Sequence, residues 1–310
     1  MVSTMDIHFE IAAEGLEFPE GPIALADGSV LLVEIRGGYL TRVEPSGRVE
    51  RLLHLGAGPN GAAVGPDGGV YVVNNGGFSW GETDVGIIPA GTPDGYRGGS
   101  VQRVDLKSGR VDTLYEACDG VRLRGPNDIV FDAVGGFYFT DLGKWNDDHQ
   151  GWGTVYYGLP DGSDIRKVRS GLLTPNGVGL SPDGKTLYVA ESLTARLWAF
   201  RIEAPGVVAS ALGQWKPALH LWSGRGLCIY DSLAVEADGA VCVATVIRGG
   251  IDVIVPGEDS CTTVPLPAAM TTNICFGGEN RRTAWITASN TGQLYRCHWP
   301  RPGLKLAFNA

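Results

Sequence analysis

The chain has 310 residues, 44 % of them hydrophobic, with 46 Gly and 18 Pro, a composition that suits a sizeable core and a turn-rich, all-β chain. Its formal charge of −9 argues against a nucleic-acid partner, which needs basic surface. No stretch approaches the ~20 apolar residues of a membrane span, and the first ten residues lack the basic-then-apolar pattern of a signal peptide. The expectation is a soluble, cytoplasmic protein.

In chain order, residues 6–17 alternate weakly before Phe18-Pro19-Glu20. Val30-Leu31-Leu32-Val33-Glu34 and Leu40-Thr41-Arg42-Val43 then read as strands, followed by one over residues 49–53. Pro59-Asn60-Gly61 opens a similar unit, interrupted from about Gly76 to Gly99 by a Gly- and Pro-rich insertion that holds Phe78, Trp80 and Tyr96. The clearest unit begins at Pro126-Asn127-Asp128. A turn falls seven residues on at Val134-Gly135, and Asp141 lies seven beyond that. This pattern predicts two antiparallel strands with residues 127 and 141 at one edge. A second insertion, Leu142 to Gly153, carries Trp145, His149 and Trp152. Residues 154–220 complete this unit and give another, and the last two begin at Tyr230-Asp231-Ser232 and Thr272-Asn273-Ile274.

Six copies of one pattern are therefore present, opened by Glu20, Asn60, Asn127, Asn176, Asp231 and Asn273 at intervals of 40, 67, 49, 55 and 42 residues. Repeats of roughly 40–50 residues, each several strands long, have the period of a propeller blade. The expected fold is all-β, a single six-bladed β-propeller domain over residues 1–310, with an outer strand from residues 6–13 closing the sixth blade. The six cysteines show no CxxC pair and read as buried strand residues rather than disulfides.

In a propeller the innermost strands line the axis, so the six openers form a ring of oxygen-bearing side chains. Such donors suit a hard divalent cation: Ca²⁺ takes ~6–8 oxygens, whereas a structural zinc site wants Cys or His. The competing reading is a repeated turn, since Asn and Asp are common turn residues. Glu20 is a poor turn former, however, and Asp231 has no glycine beside it, which favours the metal. The two aromatic insertions, with Trp80, Trp145, His149 and Trp152, read as the rim of a substrate pocket or as ordinary loop packing. Gly77-Phe78-Ser79-Trp80-Gly81 matches the nucleophile elbow of serine hydrolases but lacks the helix that motif requires.

These residues resemble the regucalcin/gluconolactonase family of six-bladed propellers. The matching pieces are Pro19-Glu20-Gly21-Pro22, Pro126-Asn127-Asp128, Pro175-Asn176-Gly177 and Tyr230-Asp231-Ser232, which between them span nearly the whole chain. The resemblance implies one divalent metal on Glu20, Asn176 and Asp231, with Asn127 touching the metal or the substrate. Ca²⁺ is first in line, with Zn²⁺, Mn²⁺ or Fe²⁺ open to supply. It also implies hydrolysis of a small-molecule lactone, with Asp231 as candidate general base. The residues themselves leave open Asp231 as nucleophile or as ligand alone, add Asn127 as a second catalytic candidate, and make the ring members Asn60, Asn127 and Asn273 expected substrate contacts. Phosphotriester hydrolysis on the same metal and a non-catalytic scaffold are the alternatives. One departure stands out: sugar-lactonase members often carry an Arg two residues before the third-blade Asn, where this chain has Gly125. Together with the aromatic loops bearing Trp80, Trp145 and Trp152, this points away from an aldonolactone and towards a less polar lactone or another ester. Asp141 and Glu191 read either as supports behind the ring or as solvated strand ends.

Overall fold

The computed structural model describes residues 2–5, 7–209 and 219–309. Asp6 and residues 210–218, which fall in the segments assigned above to the closing strand and the fourth unit, lie outside the described residues.

Six blade sheets, antiparallel apart from one added edge strand, follow one another along the chain, and the inner strand of each packs beside the inner strand of the next. Blade one pairs Pro19–Ala24, Val30–Glu34, Tyr39–Val43 and Val49–His54 in that order. Blade three does the same with Pro126–Phe131, Phe137–Asp141, Gly153–Gly158 and Ile165–Leu172. The inner strands are Pro19–Ala24, Pro59–Val64, Pro126–Phe131, Pro175–Leu180, Ile229–Val235 and Thr271–Gly277, and the last returns to contact the first. The result is a six-bladed β-propeller.

Closure follows the expected route. Glu10–Ala13 is the outer strand of blade six, antiparallel to Gln293–His298. A second N-terminal contribution leaves no mark in the residue pattern: Val2–Thr4 pairs in parallel with Cys261–Val264 on the outside of blade five. Sheet edges are otherwise liabilities, and these two strands cover the outer edges of the last two blades.

The strands read as long runs of Val, Leu, Tyr and Phe because each blade is covered on both faces. One apolar cluster fills each interface: Ile23, Val33 and Val70 between blades one and two, and Val130, Leu187 and Phe200 between blades three and four. All six cysteines are free thiols, five of them buried.

In every blade the inner strand breaks register beside its opener, with shifts at Glu20/Ile23, Pro59/Gly61, Pro126/Ile129, Pro175/Val178, Tyr230/Leu233 and Thr271/Asn273. A bulge re-aims the side chain it carries, so six bulges turn six side chains together. The glycine after an opener is explained by crowding. A Cβ at Gly61 would lie 2.5 Å from the carbonyl oxygen of Asn127, and one at Gly177 would lie 2.8 Å from that of Asp231. Pro-Asn-Gly here marks the start of an inner strand packed tightly against the next.

Candidate functional site

Five of the six openers are buried, and Asp231 is the half-buried exception. Their hydrogen bonds divide them. Asn273 Nδ2 donates to Glu20 Oε2 at 2.8 Å, and its Oδ1 accepts the N–H of Ile274 at 2.8 Å. Asn60 Nδ2 donates to the backbone oxygen of Asn127 at 3.0 Å, while its Oδ1 accepts from Asn75 Nδ2 at 2.8 Å. Both amides are thus engaged at each end. Asn176 Nδ2 is turned away to Ser192 Oγ at 3.2 Å, leaving its oxygen only a long 3.4 Å contact from Ser232 Oγ. Asn127 Oδ1 is buried and has no hydrogen-bond partner among the described residues. An unpaired carbonyl oxygen away from water costs of order 1–3 kcal/mol.

The acids at the ring are electrostatically frustrated. Burial pushes the Glu20 carboxyl up, against the hydrogen bonds from Asn273 and Gly21. Asp231 is driven well above its ordinary value by burial first and then by the charge of Glu20. Asp128, beside Asn127, is pushed up to about 7 by burial and by Glu20. Among the described residues, the main influences on these three carboxyls are burial, neighbouring acids and hydrogen bonds, with no basic side chain among them. Among the described residues no cluster of three or more His, Cys, Asp or Glu is spaced to hold a metal alone. A cation here would have to use amide oxygens as well. The donors fit one: hard oxygens, two carboxylates and an orphaned amide carbonyl are a Ca²⁺-type set.

Behind the ring, the acids that end the second strands anchor the approach to the openers. Asp141 accepts the backbone N–H groups of Arg124 and Gly125, both at 2.7 Å, and that of Gly143 at 3.0 Å. Glu34 Oε2 accepts from the backbone N–H of Glu17 at 2.7 Å, and Glu191 Oε1 from that of Leu173 at 2.5 Å. All three are buried, so they are not solvated strand ends.

The rim is unequal. The insertion of blade two folds as a hairpin, Ser79–Thr83 with Gly86–Gly91. It lies across the mouth: Trp80 meets Phe18 of blade one at 4.9 Å between ring centroids, and Asn290 of blade six donates to Val85 O at the hairpin tip. Trp145 joins this group through Phe78, 5.4 Å away between centroids. The structure thus brings Trp80 and Trp145 together, while His149 and Trp152 stand exposed on the neighbouring loop. On the uncovered side, the loops at the opener end of blades three to five present Trp152, Leu193, Leu227 and Ile247, all exposed. Ile247 adopts a φ of 77°, a conformation β-branched residues rarely take. Ser79 is the first residue of a hairpin strand, with no helix after it.

Below the ring, an axial cavity of about 310 Å³ is walled by Asp128, Asn273 and apolar inner-strand residues, and the segment 304–309 closes its far end. Sequence reasoning missed three residues near the ring: Asp128, Asn75 and Lys144. Asp128 was visible beside Asn127, but its burial was not. Lys144 holds its place through blade two, which no local pattern reveals.

A six-bladed propeller whose axis carries a ring of carboxylate and amide oxygens is a recognisable class. The family profile for the SMP-30/gluconolactonase/LRE-like region matches residues 18–290, and the chain belongs to that family. A gluconolactonase of Zymomonas mobilis is 26 % identical, over 91 % of this chain and 79 % of its own. The lactonase drp35 of Staphylococcus saprophyticus is 31 % identical, over 83 % and 75 %. Lactone hydrolysis is thus the activity of the family around it. Among solved structures, a gluconolactonase of Xanthomonas campestris superposes with a TM-score of 0.74 at 22 % identity, covering 95 % of this chain and 90 % of its own. A calcium-binding regucalcin of Agrobacterium tumefaciens does so with a TM-score of 0.72 at 17 % identity, covering 99 % and 100 %. At these identities the likeness is one of fold. No helix among the described residues is long and apolar enough to cross a membrane.

Proposed function

We propose that this chain is a divalent-cation-dependent hydrolase that opens a lactone ring, and that the lactone carries an apolar substituent. The observation that carries the reading is the buried, partnerless Asn127 Oδ1, set among carboxyls that burial and mutual repulsion hold above their ordinary values. Glu20, Asn127, Asn176 and Asp231 would hold the cation, Ca²⁺ being the best match to the donor set. When bound, it supplies polarisation of the ester carbonyl and compensation of developing negative charge.

The chain's own residues do the rest. Asp231 is the opener nearest solvent. It takes the proton of the attacking water, whose oxygen bonds to the carbonyl carbon. The ring C–O bond then breaks, and Asp231 returns that proton to the ring oxygen, which becomes the free hydroxyl of a hydroxy acid. Asn273 and Asn60 hold their neighbours: one fixes Glu20, the other the backbone of Asn127.

The rim supports the apolar substituent. Phe18, Phe78, Trp80 and Trp145 roof one side, and exposed apolar residues edge the other. At position 125 even a Cβ would stand 2.3 Å from the carbonyl oxygen of Gly143, so no polar side chain can reach substrate from there.

A pH-stat assay on sugar and alkyl lactones tests the reading, run as purified, after chelation and after return of single cations. Turnover lost on chelation, restored by one cation and abolished by Asp231→Asn is expected, with alkyl lactones preferred. Turnover of every lactone that is indifferent to chelation would sink the cation, and no turnover at all would sink the hydrolase.

A further inference from the structure

Lys144 is a lysine that is only 7 % exposed. Its Nζ donates to Gly77 O at 2.5 Å and reaches Asn75 Oδ1 at 3.4 Å. It sits 3.9 Å from the centre of the Phe78 ring and 5.1 Å from that of Tyr96. All four groups belong to blade two, at the two legs of its insertion, whereas Lys144 belongs to blade three. The next residue repeats the link, for Trp145 O accepts from both Thr92 N, at 3.0 Å, and Thr92 Oγ1, at 2.6 Å. The legs are otherwise built to bend: Gly76, Gly77 and Gly98 have φ of 78°, 96° and 114°, a region glycine enters without strain.

We propose that Lys144 is the latch that seats the blade-two hairpin across the mouth and so selects which lactones reach the ring. The hairpin spans from its root in blade two to Asn290 in blade six, so its seating sets the width of the opening. Lys144 also touches the ring at one remove. Asn75, which it contacts, donates to Asn60, and Asn60 donates to the backbone of Asn127.

The chemistry of the cage supports a dedicated role. Burial pushes the Lys144 ammonium down to about 7, a cost that a methionine of similar length would not carry. Of the ionisable groups, Asp141 acts on it from the end of the preceding strand of its own blade and Tyr96 faces it from the insertion. What the lysine offers in return is a donor to a backbone carbonyl and a cation against two rings. Both bind the far blade to its own.

The selection arm rests on the lactone-hydrolase reading, while the seating arm does not. Hydrogen exchange on the full chain should show residues 76–99 exchanging at least about tenfold faster in Lys144→Met than in the parent, with blades four to six unchanged. Lys144→Gln, too short to span the cage, gives the same result and serves if the methionine variant folds poorly. In kinetics, both variants should raise the kcat/KM of a lactone with a branched, bulky substituent relative to γ-butyrolactone by about tenfold. Unchanged exchange over 76–99 overturns the latch. Faster exchange with an unchanged ratio overturns its role in selection. A parent chain that hydrolyses no lactone refutes the functional reading, and the exchange result still decides the latch.

Discussion

Asp141 receives the backbone N–H of Arg124, three residues before the opener Asn127, at 2.7 Å. Glu34 and Glu191 make the same contact with Glu17 and Leu173, three residues before Glu20 and Asn176. In three blades, then, a buried acid at the end of the second strand fixes the chain as it enters the ring. Asp141→Ala should lower stability by about 3 kcal/mol, since it strands three N–H donors, those of Gly125 and Gly143 buried and that of Arg124 partly so. Asp141→Asn, which keeps one acceptor oxygen, should lose roughly half of that. Urea unfolding of both variants checks the order.

Asn127→Leu should separate the cation's contribution from that of the fold. The amide oxygen it removes has no partner, so a similarly sized apolar side chain should leave the cation-free protein as stable as before, or slightly more so. The thermal shift on adding Ca²⁺ should largely vanish. Calorimetric titration with Ca²⁺ provides the second readout, and retained affinity would remove Asn127 from the ligand set.

The stabilising effect of a cation should grow with pH. An acid whose folded pKa is raised contributes stability below its unfolded pKa and loses it as pH climbs through the folded one. For Asp128 that window runs from 3.8 to about 7, and Glu20 and Asp231 shift in the same direction. The cation-free chain therefore becomes less stable across this range, and a bound cation offsets the loss. At ~100 times Kd, Ca²⁺ contributes ~2.7 kcal/mol through mass action. The melting shift it causes should be small at pH 5 and several degrees at pH 8. Equal shifts at both would show that these carboxyls do not face the cation.

Lys144 has the opposite sign. Its folded pKa lies at about 7 against an ordinary lysine value of 10.5, so between these limits the unfolded chain binds the extra proton and stability rises with pH. Lys144→Met removes the titrating group, and its stability should rise less steeply over that interval. Melting curves from pH 7 to 10.5 compare the slopes.

How much of this was legible follows from where each contact comes from. The openers repeat in sequence because each blade supplies its own, so Glu20, Asn127, Asn176 and Asp231 could be read by counting. The acids seven residues past the turns could be counted too. Whether Asp141 and Glu191 were solvated could not, because their partners are backbone N–H groups on the preceding connection. Likewise the bulges that turn the openers inward leave no residue signature. Lys144, and the commitment of Asn60 and Asn273 to neighbouring blades, depend on contacts between units far apart in sequence. Trp80 and Trp145 were legible as aromatic residues of rim loops, but only the hairpin's path separates them from the exposed His149 and Trp152.

Gly125 gives the sharpest steric test at the rim. A Cβ there would meet the backbone oxygen of Gly143 at 2.3 Å and the side chain of Leu142 at 3.3 Å. Gly143 is itself tied down, for its N–H is held by Asp141 at 3.0 Å and its φ of 80° suits glycine. The backbone therefore has little room to yield. Gly125→Ala should cost roughly 2–3 kcal/mol and should disturb Asn127, two residues on, so that Ca²⁺ affinity falls with it. Gly81→Ala on the rim hairpin is the control: its added Cβ would meet only Ala90 and Ile88 at 3.7 Å, an ordinary contact, so stability and affinity should both hold. A Gly125→Ala protein with the parent's stability and affinity would mean that the third-blade loop adapts, and that an arginine could be accommodated at this position after all.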